Sequence, residues 1–120
     1  MTISNVTAAD FETTITEHPI VLIDFWASWC GPCRAFAPVF DRSSQSHPDV
    51  VHAKVDTEAQ QQLAATLEIQ AIPTIMAFRD GILVYRQPGA MPAAALEDLI
   101  TRVKALDMTD VHAKLASTKS

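Results

Sequence analysis

The first 33 residues contain no lysine and no arginine. A secretory signal needs a basic stretch ahead of its apolar segment, and a mitochondrial transit peptide needs arginines, so neither is expected at this N-terminus. Long apolar runs are also missing. The longest, Ile20 to Ala27, is broken by Asp24 and falls far short of the ~20 residues that a membrane helix needs. The expected location is therefore cytoplasmic, with no membrane partner. Cysteine is limited to Cys30 and Cys33. Two cysteines separated by two residues cannot staple a secreted fold, and in a reducing compartment such a pair is catalytic or metal-binding. Seven prolines and three glycines, with no repeat and no low-complexity tract, exclude a disordered chain or a repeat array. Nine basic residues stand against fourteen acidic ones, a net charge of −5. Nucleic-acid binding needs a basic face, so nucleic acid is not an expected partner.

What is present suffices for one domain: 120 residues, 48% of them hydrophobic. Thr7 to Glu17 reads as a short helix, with Thr7 as N-cap, Asp10 in the first turn, and Phe11 and Ile15 on one face. Ile20 to Trp26 is apolar at nearly every position, which predicts a strand buried on both faces. The segment around the two cysteines then opens a helix that runs to about Ser46, with Phe36, Val39 and Phe40 on one face and Pro38 inside. Val50 to Asp56 predicts a second strand. Thr57 and Gln60 have the spacing of a capping box for a helix with Leu63, Ala64 and Leu67 as its stripe. Thr74 to Arg79 and Ile82 to Gln87 flank Asp80-Gly81, a two-residue hairpin signal. Pro92 opens a last helix through Leu106, whose Leu96, Leu99, Ile100 and Val103 face the core. Helices between strands imply parallel pairing, and the final hairpin adds antiparallel strands: an α/β fold with a mixed sheet.

Cys30 and Cys33 follow a buried strand and open a helix. A helix N-terminus offers free N–H groups and a partial positive charge, which stabilise a thiolate. Cys30 is the expected nucleophile. Cys33, one turn inward and more buried, is placed to attack a mixed disulfide on Cys30. Asp24 is the other anomaly. A carboxylate among large apolar residues should have a raised pKa and is a candidate proton acceptor for Cys33. Lys54 partners Asp24 if their strands lie side by side. Trp26 is expected in the core and Trp29 on an exposed contact surface. The order Cys30, Cys33, His47, His52 matches zinc-finger spacing in form only: Pro48 separates the histidines, and His52 falls within a strand pattern. No metal site and no bound cofactor are expected. His18, His47, His52 and His112 are read as surface residues. Proline after Ile72 starts a strand, and a trans bond is its default.

The ordered blocks Val21-Leu-Ile-Asp-Phe-Trp-Ala-Ser-Trp-Cys-Gly-Pro-Cys-Arg34 with Pro38, Lys54-Val-Asp56, Ile72-Pro-Thr74, Phe78-Arg-Asp-Gly81 and Gly89-Ala90 resemble the thioredoxin family closely. The resemblance implies a thioredoxin fold over residues 1–105: a central five-stranded mixed sheet flanked by four helices, with a short first strand near Ile3 to Val6. It implies a cis Ile72–Pro73 bond beside the dithiol. It assigns Cys30, Cys33 and Asp24 to catalysis, with Trp26 and Lys54 in support. It places a client groove at Trp29, Gly31, Pro32, Ile72, Pro73, Gly89 and Ala90. The implied activity is protein-disulfide reduction by a monomeric electron carrier. Its implied partners are an NADPH-dependent thioredoxin reductase and clients such as ribonucleotide reductase and peroxiredoxins. Arg34, Ala71 and Pro88 depart from the family's usual residues. Residues 106–120 extend beyond it, and Met108, Val111 and Leu115 have helical spacing. A binding scaffold and an oxidase or isomerase of the same fold are the rival readings. The intact dithiol with Asp24 argues against the first, and Gly31-Pro32 against the second.

Overall fold

Seven consecutive residues, Ile20–Trp26, form the strand around which the molecule is built. Six of the seven are buried. A strand apolar on both faces must be covered on both, and this one lies in the middle of the sheet. The computed structural model describes residues 3–118, so Met1, Thr2 and the last two residues of the expected extension lie outside the described residues. The order is β1 (Ile3–Asn5), α1 (Phe11–Glu17), β2 (Ile20–Trp26), α2 (Gly31–Ser46), β3 (Val51–Asp56), α3 (Gln61–Thr66), β4 (Thr74–Arg79), β5 (Ile82–Pro88), α4 (Ala93–Ala105) and α5 (Met108–Thr118). The strands lie in the order β1-β3-β2-β4-β5. β1, β3 and β2 are parallel, and β4 and β5 complete the sheet antiparallel. This is the five-stranded mixed sheet with four flanking helices that the resemblance implies, with the extension forming a fifth helix.

Alternation along β2 divides the core. Ile20 and Leu22 face α2 and α4, meeting Phe36, Phe40, Leu96, Ile100 and Val103. Val21, Ile23 and Phe25 face the other way, with Val55, Met76 and Phe78, and are covered by Phe11 and Ile15 of α1, by Leu63 of α3 and by Leu67 at its C-cap. Each large side chain so buried contributes about 1.5–3 kcal/mol. A third, small cluster joins Ala27, Cys30 and Cys33 with Trp26 and Ile72 at the C-terminal end of β2. The hairpin turn forms as its sequence demands: Asp80 and Gly81 both have positive φ, 53° and 79°.

Several local expectations are corrected. α1 begins at Phe11, because the Thr7 N–H and hydroxyl both donate to Asp10 Oδ1 (2.7 and 3.1 Å) and close a separate turn. Thr57 caps no helix. Its hydroxyl donates to the Trp26 carbonyl (3.0 Å), while Asp56 Oδ1 accepts from the Glu58 and Ala59 N–H groups and delays α3 to Gln61. His52 is fully buried rather than on the surface. Pairing opposite Leu22 turns it toward α2, where its ring lies 5.0 Å from that of Phe40. Ser43 Oγ and the Val50 carbonyl satisfy its two nitrogens at 2.9 and 3.1 Å. Among the described residues no helix is long and apolar enough to cross a membrane.

Candidate active site

The chain leaves β2 at Trp26, makes a short loop and enters α2, so Cys30 stands at the N-cap of a sixteen-residue helix. Its backbone is extended (φ −84°, ψ 114°), as a cap requires. The capping acceptor is sulfur: the Cys33 N–H donates to Cys30 Sγ at 3.2 Å. Pro32 occupies the first turn, where no N–H is needed. Arg34 Nη1 donates to the Ser28 carbonyl (2.8 Å) and braces the loop from the helix side. Cys30 and Cys33 are joined as a disulfide, with Cα atoms 5.2 Å apart. Cys33 and Cys30 are buried almost equally, 3% and 4% exposed, so the expected greater depth of Cys33 is present only as a slight difference. Both sit at the floor of the site in the oxidised state.

The cis Ile72–Pro73 bond, which local sequence alone disfavours, is present. The Ile72 carbonyl oxygen lies 3.7 Å from Cys30 Sγ. Thr74 Oγ1 donates back to the Ala71 carbonyl, and the Gly89 N–H donates to the Pro73 carbonyl at 2.7 Å. Gly89 has φ 101°, a conformation that favours glycine at this junction between β5 and α4. Ile72, Pro73 and Gly89 are thus gathered near the disulfide by hydrogen bonds. Trp29 is 64% exposed beside Cys30, and Gly31, Pro32 and Ala90 are also exposed. Gly89 and Ala90 also line a cavity of about 390 Å³ between β5 and α4.

Asp24 is completely buried on the face of β2 that α2 covers. Neither carboxylate oxygen has a hydrogen-bond partner. Burial raises its pKa from 3.8 to about 7, and the positive charge of Lys54 restrains the rise. Strand register places Lys54 directly opposite Asp24, as the sequence suggested. Yet the ammonium does not close on the carboxylate. It lies over the ring of Trp26, 4.7 Å from the centroid. Trp26 is half-buried rather than wholly in the core, and its indole N–H is enclosed without an acceptor. His47 and His52 take no part in this site: His47 meets Glu97 of α4 (2.8 Å) and His52 meets Ser43. Thr57 and Thr74 were missed as supports, though Thr57 immediately follows the block Lys54-Val-Asp56 and Thr74 closes the block Ile72-Pro-Thr74. A hydroxyl at the end of such a block is the signal that finds them.

The Thioredoxin family model matches residues 2–102. Putative thioredoxin 2 of Streptomyces coelicolor is 46% identical over 115 residues, covering 96% of this chain and 86% of the relative. Thioredoxin 1 of Synechococcus elongatus is 42% identical over 99 residues, covering 81% and 92%. Among solved structures, a mutant thioredoxin from Halobacterium salinarum superposes with a TM-score of 0.81 at 31% identity, covering 88% of this chain and 93% of that one. A chain solved to describe the thiol resolving mechanism in yeast mitochondrial 1-Cys peroxiredoxin via glutathione/thioredoxin systems superposes with a TM-score of 0.77 at 33% identity, covering 83% and 94%.

Proposed function

The chain belongs to the thioredoxin family and is a disulfide oxidoreductase acting through the Cys30–Cys33 pair, and from that premise we propose that it reduces protein disulfides, with Cys30 attacking and Cys33 resolving. The observation that carries the assignment of roles is the cap. Cys30 sulfur accepts the N–H of the first helical turn, where the helix field favours a thiolate. Cys30 thiolate attacks one sulfur of a client disulfide, forming a mixed disulfide and releasing one client thiolate. Cys33, as thiolate, then attacks Cys30 sulfur, and the second client thiolate leaves. Two electrons pass to the client, and the protein is left as the Cys30–Cys33 disulfide. Asp24 takes the proton of Cys33. With a pKa of about 7 it is both basic enough to accept a proton and partly ionised at neutral pH.

A client segment lies extended along Ile72 and Pro73, with Gly89 and Ala90 beside it and Trp29, Gly31 and Pro32 at the rim. Lys54 and Trp26 support Asp24 through their charge and enclosure. Re-reduction by an NADPH-dependent thioredoxin reductase, clients of the ribonucleotide reductase and peroxiredoxin kinds, a cytoplasmic location and a monomeric state complete the reading. Its test is a pair of traps. Cys33→Ser should accumulate mixed disulfides with client proteins, released by reductant, whereas Cys30→Ser should accumulate none. Equal trapping by both variants would overturn the division of labour between the two cysteines.

A further inference from the structure

Helix α3 ends just upstream of the segment that faces the dithiol, and its end is held in an unexpected way. The Glu68 N–H donates to the Ala65 carbonyl (3.0 Å) and the Ile69 N–H to the Ala64 carbonyl (2.9 Å). These paired bonds close a helix through a residue in the left-handed conformation, and Glu68 adopts it, with φ 55°. Glycine is the residue that takes this conformation freely, and a β-carbon there is penalised. Glu68 therefore persists in it only because its surroundings impose it. Arg86 supplies the constraint. Reaching from β5, its Nη1 donates to the Leu67 carbonyl and its Nη2 to the Glu68 carbonyl, both at 2.6 Å. A planar guanidinium fork bridges two successive carbonyls in a way a lysine cannot. The chain beyond the clamp runs only from Ile69 to Pro73, and it ends at the Ile72 carbonyl beside Cys30. Its downstream end is fixed by the sheet and by the Gly89 bond to Pro73. Arg86 fixes the upstream end.

We propose that Arg86 is a positioning residue for disulfide exchange with protein clients. By clamping the end of α3, it sets where the Ile69–Pro73 segment presents its backbone to an extended client. The inference rests on the reading of that segment as the client platform. Arg86 touches neither cysteine, so a small disulfide that needs only the Cys30 sulfur is indifferent to it.

The test uses the full chain, pre-reduced, in single turnover against insulin and against the small disulfide dithionitrobenzoate. Arg86→Gln should raise the half-saturating insulin concentration by about three- to tenfold, with the limiting rate and the small-disulfide rate unchanged. Amide exchange at Glu68 and Ile69 should quicken in this variant while the amides of β2 keep their protection. Adding Glu68→Gly to Arg86→Gln should restore insulin affinity, because glycine holds the left-handed turn without a clamp. Unchanged insulin affinity in Arg86→Gln, equal slowing of both substrates, or failure of the glycine rescue would each overturn the proposal. Ile72→Gly separates it from the reading beneath it. Raised half-saturation in Ile72→Gly beside an unchanged Arg86→Gln removes Arg86 alone. Unchanged half-saturation in Ile72→Gly removes the platform, and the proposal with it.

Discussion

At the scale of single residues, two buried titratable groups pull stability in opposite directions. Asp24 has no hydrogen-bond partner, and burial lifts its pKa from 3.8 to about 7. Well below pH 3.8 it is protonated in both folded and unfolded chains and adds no pH-dependent cost. Between those values the unfolded chain loses the proton and the folded chain keeps it, so stability falls as pH rises. The loss amounts to about 4 kcal/mol by pH 7 and then levels off. The stability difference between Asp24→Asn and the wild type, both oxidised, should therefore widen in the variant's favour by that amount from pH 4 to pH 7. Denaturant titrations at several pH values measure it, and a pH-independent difference would refute the buried, protonated carboxyl. If Asp24 takes the proton of Cys33 as proposed, reductase activity of the same variant at pH 7 should fall. His52 acts in the opposite sense. Burial pushes its pKa below 6.5, so its neutral form contributes stability that is lost as pH drops.

At the scale of elements, two helix ends in this fold are finished by arginines from the sheet. Arg86 does so for α3. Arg79 does so for α4, its Nη1 donating to the carbonyls of Val103 (2.7 Å) and Lys104 (3.3 Å). The last carbonyls of a helix have no partner within it, so a fixed cation there serves both hydrogen bonding and the helix field. Arg79→Ala should lower unfolding free energy by about 1–3 kcal/mol, because carbonyls lose their donor while the disulfide site lies at the far end of α4. Activity at 25 °C should be retained. A melt with no shift would show that water replaces the guanidinium at no cost. α2 carries the reactive sulfur at its start, and there the acceptor is Cys30 itself. The same device, a side chain completing a helix end, holds the structure in one place and tunes chemistry in the other.

At the scale of the whole molecule, packing is uneven. The centre, β3-β2-β4, is enclosed on both faces. The β5 edge is looser, with a cavity of about 390 Å³ against α4 and one of about 290 Å³ against α5. In α5, Val111 is half-buried and Leu115 is 39% exposed across that second gap from Ile82, Leu83 and Val84. Ending the chain at Leu106 should therefore leave insulin reduction unchanged and cost only about 1–2 kcal/mol of stability. A folded truncation that has lost activity would assign the extension a part in client docking.

Sequence patterning by itself determined the four strands from β2 to β5, their succession along the chain and the identity of the reactive pair, while β1 came only with the family resemblance and the order across the sheet only with the structure. A run such as Ile20–Trp26, apolar at every position but Asp24, is most stable in the middle of a covered sheet, and the helix pattern that follows it puts the Cys-x-x-Cys at a helix N-terminus. Asp24 and Lys54 were legible as neighbours because one strand pairing puts them opposite each other. Tertiary structure decided what local patterns leave open. It buried His52, because only the packed fold brings Ser43 and Phe40 to it. It sent the Lys54 ammonium over Trp26 instead of onto Asp24, since side-chain direction follows the available surface and not the register. It moved the start of α3 past Thr57, because Asp56 and Trp26 competed for the same turn. It set Ile72–Pro73 cis, against the isomer that local preference favours. And it joined Arg86 to the end of α3, two segments about twenty residues apart. No periodicity records such a bond, because it joins residues that come together only in the folded sheet.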